Sequence, residues 1–328
     1  MQKNMTNVLI TRHDKIGDFI VSLPMFKVLK NQRKDVRTFA LVSKINYSFA
    51  KEIFFIDEVI LYDLNNLAKT LSDIKKAKID ISISAFIDSS LGYLLFKAGI
   101  KKRIAPATKL AQIFFNKKLK QKRSRVEKKE FEYNLDLLKK FDSSLELKYD
   151  YPLINIDKKT KDEVFNTFKN QYSIKNEEKI IAFHPGFGGS SDGNLSFDDY
   201  IKLAQSISKK QNTKIVFTFG PDDLDAVEYI STNIKTDVIL YQSSLSLMDF
   251  CALLSNFEVF ISTSTGPMHL AGAVNIKTLS FFGSSLFASS KRWATISEEK
   301  QQNNFMLSKE YTEEDYLKIE NTLKSLLS

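Results

Sequence analysis

Only one of the 328 residues is a cysteine, Cys251, so no intrachain disulfide can form and no C-x-x-C metal or redox pair exists. A reducing cytoplasm is the expected compartment. No stretch approaches the ~18 uncharged apolar residues that a membrane-spanning helix requires. The run Val8-Leu9-Ile10 turns polar at Thr11 and is too short for a signal peptide. With 11 glycines and 6 prolines the chain is neither collagenous nor a disordered low-complexity segment. The zinc motif H-E-x-x-H, the nucleophile elbow G-x-S-x-G, the P-loop and G-x-G-x-x-G are all missing. No metal or cofactor is therefore expected. Asp223-Leu-Asp225 has D-x-D spacing, but it falls at an expected helix start, where acidic residues need no metal to explain them.

What is present is the balance of a folded protein, 43% hydrophobic and 27% charged, and a length that suggests two domains at about 150 residues each. The net charge of +9 favours an anionic partner: nucleic acid, a phosphorylated substrate or a membrane surface. Nucleic acid ranks last, because no zinc finger, RRM or similar module accompanies the charge. Short β-branched runs alternate with amphipathic stretches, the pattern of parallel strands joined by crossover helices. The first half predicts strands near 7–11, 37–42, 58–62 and 79–85, and helices near 18–30, 64–77, 89–98 and 129–141. The second half predicts strands near 179–184, 213–219, 237–241, 257–262 and 277–282, with helices near 197–209, 222–232, 246–255 and 266–274. The polar segment Lys148 to Lys161 is the expected junction. In open α/β sheets ligands sit outside the strand C-terminal ends, so a crevice between two such domains is the expected site.

Three strand-end loops carry the candidate chemistry. Thr11-Arg-His-Asp-Lys-Ile-Gly-Asp18 gathers Arg12, His13, Asp14, Lys15 and Asp18 before a helix. A carboxylate among cations at a helix start is expected to stay ionised, so Asp18 can accept a proton from a hydroxyl nucleophile. The bland alternative is that Asp18 caps the helix while Asp14 pairs with Arg12 or Lys15. Phe183-His-Pro-Gly-Phe-Gly-Gly-Ser-Ser-Asp-Gly-Asn194 brings His184, Gly186, Gly188, Gly189 and Ser190 into a loop that is either a phosphate cradle or an ordinary long turn. In Ile261-Ser-Thr-Ser-Thr-Gly-Pro-Met-His-Leu-Ala271 a strand ends in Ser264 and Thr265, then Gly266, Pro267, Met268 and His269 open a helix whose first N–H groups can hold a pyrophosphate. The chain's three histidines, His13, His184 and His269, all fall in these loops. After Phe219-Gly220-Pro221, Asp222 or Asp223 is a candidate ribose contact.

From Lys101 to Lys129 there are twelve Lys or Arg residues against one acid, Glu127, with the apolar group Ala111-Gln-Ile-Phe-Phe115 embedded. This segment is either a surface for an anionic membrane or glycolipid, or a solvated basic helix or loop.

Taken in order, Ile10-Thr-Arg-His-Asp-Lys-Ile-Gly-Asp-Phe-Ile-Val-Ser-Leu-Pro24, His184-Pro-Gly and Ser264-Thr-Gly-Pro-Met-His-Leu-Ala271 with Phe281-Phe-Gly283 resemble the signatures of the ADP-heptose:lipopolysaccharide heptosyltransferases, glycosyltransferase family 9. The resemblance implies an α/β GT-B fold, two Rossmann-like domains with parallel sheets facing an interdomain cleft. It assigns an acceptor domain to residues 1–155 and a nucleotide-sugar domain to 156–328, with a last helix that packs back on the first domain. It implies inverting transfer of heptose or a related sugar from a nucleotide diphosphate sugar to a lipopolysaccharide-core acceptor, without a metal. Asp18 would be the base; Arg12, His13, Lys15 and Arg103 would meet an anionic glycolipid acceptor. The second and third loops with Asp222 would hold the donor, and the protein would touch the cytoplasmic leaflet of the inner membrane. Two positions depart from the family pattern. Ser264 stands where many members have Asp, and Asp192-Gly-Asn-Leu195 where many have a cation followed by Trp. Arg12, Lys15, Lys291 and Arg292 remain as replacement cations. A different nucleotide sugar, or a silent nucleotide-sugar or glycolipid-binding protein, is the alternative.

Overall fold

The computed structural model describes residues 5–186 and 193–328, and the chain divides into two compact units, Met1–Leu153 and Ile154–Ser328. The first unit runs β1 (Thr6–Thr11), α1 (Ile16–Ile20), α2 (Leu23–Gln32), β2 (Val36–Val42), α3 (Lys44–Glu52), β3 (Glu58–Leu61), α4 (Leu67–Lys76), β4 (Ile81–Ser84) and α5 (Ser89–Lys97), then β5 (Lys102–Pro106), a 3-10 turn (Leu110–Phe114), β6 (Lys117–Leu119) and α6 (Glu130–Phe141). The second runs α7 (Lys158–Tyr172), β7 (Lys179–His184), α8 (Phe197–Ile207), β8 (Thr213–Phe219), α9 (Leu224–Asn233), β9 (Ile239–Gln242), α10 (Leu247–Leu254), β10 (Val259–Thr263), α11 (Gly266–Ala273), β11 (Lys277–Gly283), α12 (Ser290–Trp293), β12 (Gln302–Leu307) and α13 (Glu313–Leu326).

Each unit is a six-stranded parallel sheet. The orders are β3-β2-β1-β4-β5-β6 and β12-β11-β10-β7-β8-β9. Helices cover both faces, so the central strands are apolar throughout instead of alternating; Val8, Leu9 and Ile10 are all buried. Both sheets start at a central strand, run to one edge, then return to build the other half. The reversal opens a crevice outside the strand ends, between β1 and β4 in one unit and between β7 and β10 in the other. His13 and Asp18 follow β1, His184 ends β7 and His269 lies in the first turn after β10.

The expected helix over 18–30 is broken in two. Ser22 donates its hydroxyl to the Phe19 carbonyl at 2.6 Å, and Pro24, which has no N–H, sits in the first turn of α2. The basic segment is neither a helix nor a loose loop: it supplies β5 and β6, two strands absent from the expectation. Ile104, Ala105 and Phe115 are buried there, each large side chain contributing about 1.5–3 kcal/mol, and the lysines line an edge strand, where they discourage further pairing. α3, α7 and β12 are also absent from the expectation. The last helix, expected to reach back to the first domain, buries Tyr316, Ile319 and Leu323 in the second unit's own core beside Tyr200, Phe217 and Phe281.

Candidate functional site

In the first unit β1 delivers its chain end into the crevice. Arg12 is only 4% exposed and its guanidinium is surrounded by carboxylates. Nε donates to Asp14 Oδ1 at 2.8 Å, Nη2 donates to Asp18 Oδ1, and Nη1 lies 3.5 Å from Glu130 Oε1. Glu130, buried at the start of α6, also accepts from Arg123 Nη1 at 2.6 Å. The three carboxylates outweigh burial and hold Arg12 above its ordinary range. Asp18 moves the other way from expectation. Burial raises its carboxyl, Asp14 and Glu130 raise it further, and Arg12 only partly opposes them. Glu130, distant in the chain, is the competing acid that the loop sequence does not contain. Of the bland alternative, the Asp14–Arg12 pair is present, but Asp18 is not the cap: Lys15 holds the N-cap position and Asp18 lies inside the helix with its oxygen on Arg12. A raised carboxyl is a more basic carboxylate, the property a proton acceptor needs.

The loop is fixed from behind by the unanticipated α3. Ser43 Oγ and Asn46 Nδ2 donate to the Asp14 carbonyl at 3.1 and 3.2 Å. His13 bridges the crevice: its Nε2 is 2.7 Å from Asp88 Oδ2 after β4, and its ring lies 4.5 Å from Tyr62 and 5.5 Å from Phe86. That bond is the main reason Asp88 sits below the usual carboxylate range. Asp88 also caps α5, accepting from the Leu91 N–H at 2.8 Å. Lys15 is exposed. Arg103 does not reach this group. It donates to the carbonyls of Phe114 (2.6 Å) and Ile100 and lies 5.4 Å over the Phe96 ring, so its expected acceptor contact is replaced by a structural clamp.

In the second unit His184 ends β7, buried, with Nδ1 3.1 Å from Thr218 Oγ1 and Nε2 3.9 Å from an Asp223 oxygen. Burial lowers its imidazole despite that carboxylate. Of the two candidate acids, Asp223 faces inward and Asp222 is exposed. Asp223 accepts from the Gly220 N–H at 2.6 Å, and a Cβ on Gly186 would fall 2.2 Å from its carboxylate. The far end of the glycine-rich loop is tied to β10 and β11. Thr263 Oγ1 donates to the Gly193 carbonyl at 2.6 Å, and a Cβ there would meet the Phe282 carbonyl at 2.1 Å. Gly188, Gly189, Ser190 and Asp192 lie outside the described residues.

Thr265 caps α11, and its hydroxyl turns back to the Thr263 carbonyl at 3.3 Å. Pro267 has no N–H, so the first turn offers the N–H groups of Gly266 and Met268. The Met268 side chain itself is fully buried. Ser264, where a carboxylate was the family expectation, uses its N–H on the Phe281 carbonyl at 2.9 Å. His269 is 3% exposed, and its Nδ1 is buried without a hydrogen-bond partner among the described residues. Burial pushes it down to about 4, so it is neutral near pH 7. The imidazole therefore adds no positive charge to the N-terminal end of the helix. Arg292 lies 3.7 Å over the Phe287 ring, and Arg12 is taken up by its carboxylates.

Residues 75–324 match the model of "Glycosyltransferase family 9 (heptosyltransferase)". A Haemophilus influenzae protein named "Putative glycosyltransferase" is 34% identical over 307 residues, 90% of this chain and 87% of that one. Lipooligosaccharide heptosyltransferase 2 of Campylobacter jejuni serotype O:2 is 24% identical over 286 residues, 85% of this chain and 81% of its own. The structure of E. coli ADP-heptose lipopolysaccharide heptosyltransferase II superimposes with a TM-score of 0.81 at 16% identity, covering 98% of each chain. That likeness carries the fold, which is GT-B. The family match over most of the chain, with the Haemophilus relative, carries the rest: the chain belongs to glycosyltransferase family 9 and is a glycosyltransferase.

Proposed function

We propose that this glycosyltransferase moves heptose from ADP-heptose to a sugar hydroxyl of the lipopolysaccharide core, with inversion and without a metal. The first unit takes the acceptor and the second the donor. Asp18 removes the acceptor proton as that oxygen forms its bond to the anomeric carbon. The bond from that carbon to the diphosphate oxygen breaks, and the start of α11 receives the departing ADP. The observation that carries this reading is Asp18 itself, a carboxylate at the crevice of a Rossmann-like sheet, made more basic by burial and by Asp14 and Glu130. The acceptor is an anionic glycolipid, so the enzyme works in peripheral contact with the cytoplasmic leaflet of the inner membrane.

The test is transfer by the full chain from ADP-heptose to a heptose-deficient core acceptor, following ADP release and product mass. Asp18→Asn should lower kcat by about 10²–10⁴ while ADP affinity persists, and EDTA should change nothing. Full activity in Asp18→Asn would overturn the assignment. Ser264 favours a second reading, a different nucleotide sugar, since a hydroxyl replaces the carboxylate that many members present. Turnover with a UDP- or GDP-sugar and none with ADP-heptose would select it.

A further inference from the structure

The basic segment places its two most exposed apolar side chains together. Leu110 and Ile113 are 87% and 74% exposed on the 3-10 turn between β5 and β6, and a spacing of three on such a turn stacks them on one face. Phe114 of the same turn points inward and packs against Tyr93 and Phe96 of α5, at ring distances of 6.0 and 6.5 Å, and both of those rings are themselves exposed. Arg103 fixes the turn through the Phe114 carbonyl. The exposed lysines Lys97, Lys101, Lys117, Lys118, Lys120 and Lys122 flank this turn along the chain. None of the six forms an ion pair among the described residues; Lys97 lies 5.4 Å over the Tyr93 ring. A rigid apolar tip that water does not explain, flanked by unneutralised cations, fits one kind of partner.

We infer that the Leu110–Ile113 turn is a membrane-docking tip that inserts into an anionic lipid bilayer while the flanking lysines lie against its headgroups. No described helix is long and apolar enough to cross a membrane, so the contact is lateral. Apolar insertion and basic attraction reinforce each other at such a surface, and each lysine near anionic lipid strengthens binding roughly fivefold. The position suits the reaction. Lys109, next to Leu110, lies 4.0 Å over the Phe86 ring, and Arg12, which holds Asp18, lies 5.7 Å over the same ring. The tip and the proposed base therefore share one rim of the first unit. The inference rests on the lipid-anchored acceptor proposed above, and it names the part of the enzyme that meets the lipid.

The experiment is flotation of the full chain with phosphatidylcholine vesicles with and without 30 mol% phosphatidylglycerol. Wild type should bind the anionic vesicles at least about tenfold more tightly than the neutral ones, and Leu110→Ser with Ile113→Ser should lose about tenfold or more of that binding. An environment-sensitive dye on Ile113→Cys, with the buried Cys251 unreactive, should shift to the blue on anionic vesicles. Equal binding of the double variant, or an unshifted dye on bound protein, overturns the tip. So does a wild-type dimer, in sedimentation equilibrium, that the double variant lacks, since a second copy would then cover the surface. Transfer to a delipidated, water-soluble acceptor should be unchanged in the double variant. Vesicle binding through the tip without any transferase activity would sink the enzymatic reading and leave the docking intact.

Discussion

Replacing Asp18 by Asn should abolish transfer and stabilise the fold. Burial and two neighbouring carboxylates raise Asp18 more than Arg12 lowers it, so the folded chain holds that proton more tightly than the unfolded chain does. Stability then falls as pH rises through the raised folded value of this carboxyl. Each unit of that rise costs about 1.4 kcal/mol. Asparagine keeps the shape and leaves Arg12 with Asp14 at 2.8 Å and Glu130 at 3.5 Å, so no buried cation is stranded. The melting temperature of the first unit should therefore rise at pH 7.5, by about 2–4 °C for each kcal/mol recovered, and the gain should shrink as the pH is lowered and wild-type Asp18 takes up its proton. The assay is a pair of measurements on one preparation: initial rate of transfer, and thermal unfolding at pH 7.5 and pH 4. A variant that is inactive and melts several degrees lower at pH 7.5 would refute the reasoning, because Asp18 would then be a structural half of an ion pair.

Three further outcomes are expected. His269 is held down to about 4, below its ordinary 6.5, so the unfolded chain binds its proton first; stability should drop as pH falls from 6.5 to 4, by up to roughly 3 kcal/mol, and His269→Gln should flatten that part of the melting profile. Gly186→Ala puts a methyl into the Asp223 carboxylate, so it should weaken ADP binding measured by calorimetry, and adding Asp223→Ala should recover part of the loss; strict additivity of the two changes would count against the contact. Arg103→Ala should lower the melting temperature through about 1–3 kcal/mol of lost carbonyl contacts with little change in acceptor KM, and a tenfold rise in that KM at constant stability would restore it to the acceptor site.

The parallel α/β architecture was legible because buried parallel strands write themselves as unbroken apolar runs such as Val8-Leu9-Ile10 and Ile180-Ile-Ala-Phe183. The loops at the two reversal points were legible for the same reason, since each follows such a run. What stayed hidden depends on contacts distant in the chain. β5 and β6 lie in a stretch dominated by lysine, and an edge strand that buries little has no apolar pattern to betray it. Glu130 reads as an ordinary acid at a helix start; only the packing of α6 against α2, with Asn134 donating to the Val21 carbonyl at 3.1 Å, carries it to Arg12. Asp88 was within reach, since Asp before Ser89-Ser90 at the end of a strand is an N-cap pattern.

The two crevices are built on one plan and charged in opposite ways, and that difference is itself an argument for their division of labour. In the first unit three carboxylates crowd a single guanidinium, which makes Asp18 basic and makes the loop a poor host for a diphosphate. In the second, burial pushes the imidazoles of His184 and His269 down, so neither adds positive charge beside the N–H groups at the start of α11. A proton acceptor belongs where negative charge already accumulates, and a leaving diphosphate belongs where backbone donors can face it. Exchanging the roles would cost both steps: a diphosphate against Asp14, Asp18 and Glu130 would be repelled, and a base beside neutral imidazoles and a helix N-terminus would be stabilised as the anion and lose its affinity for the proton.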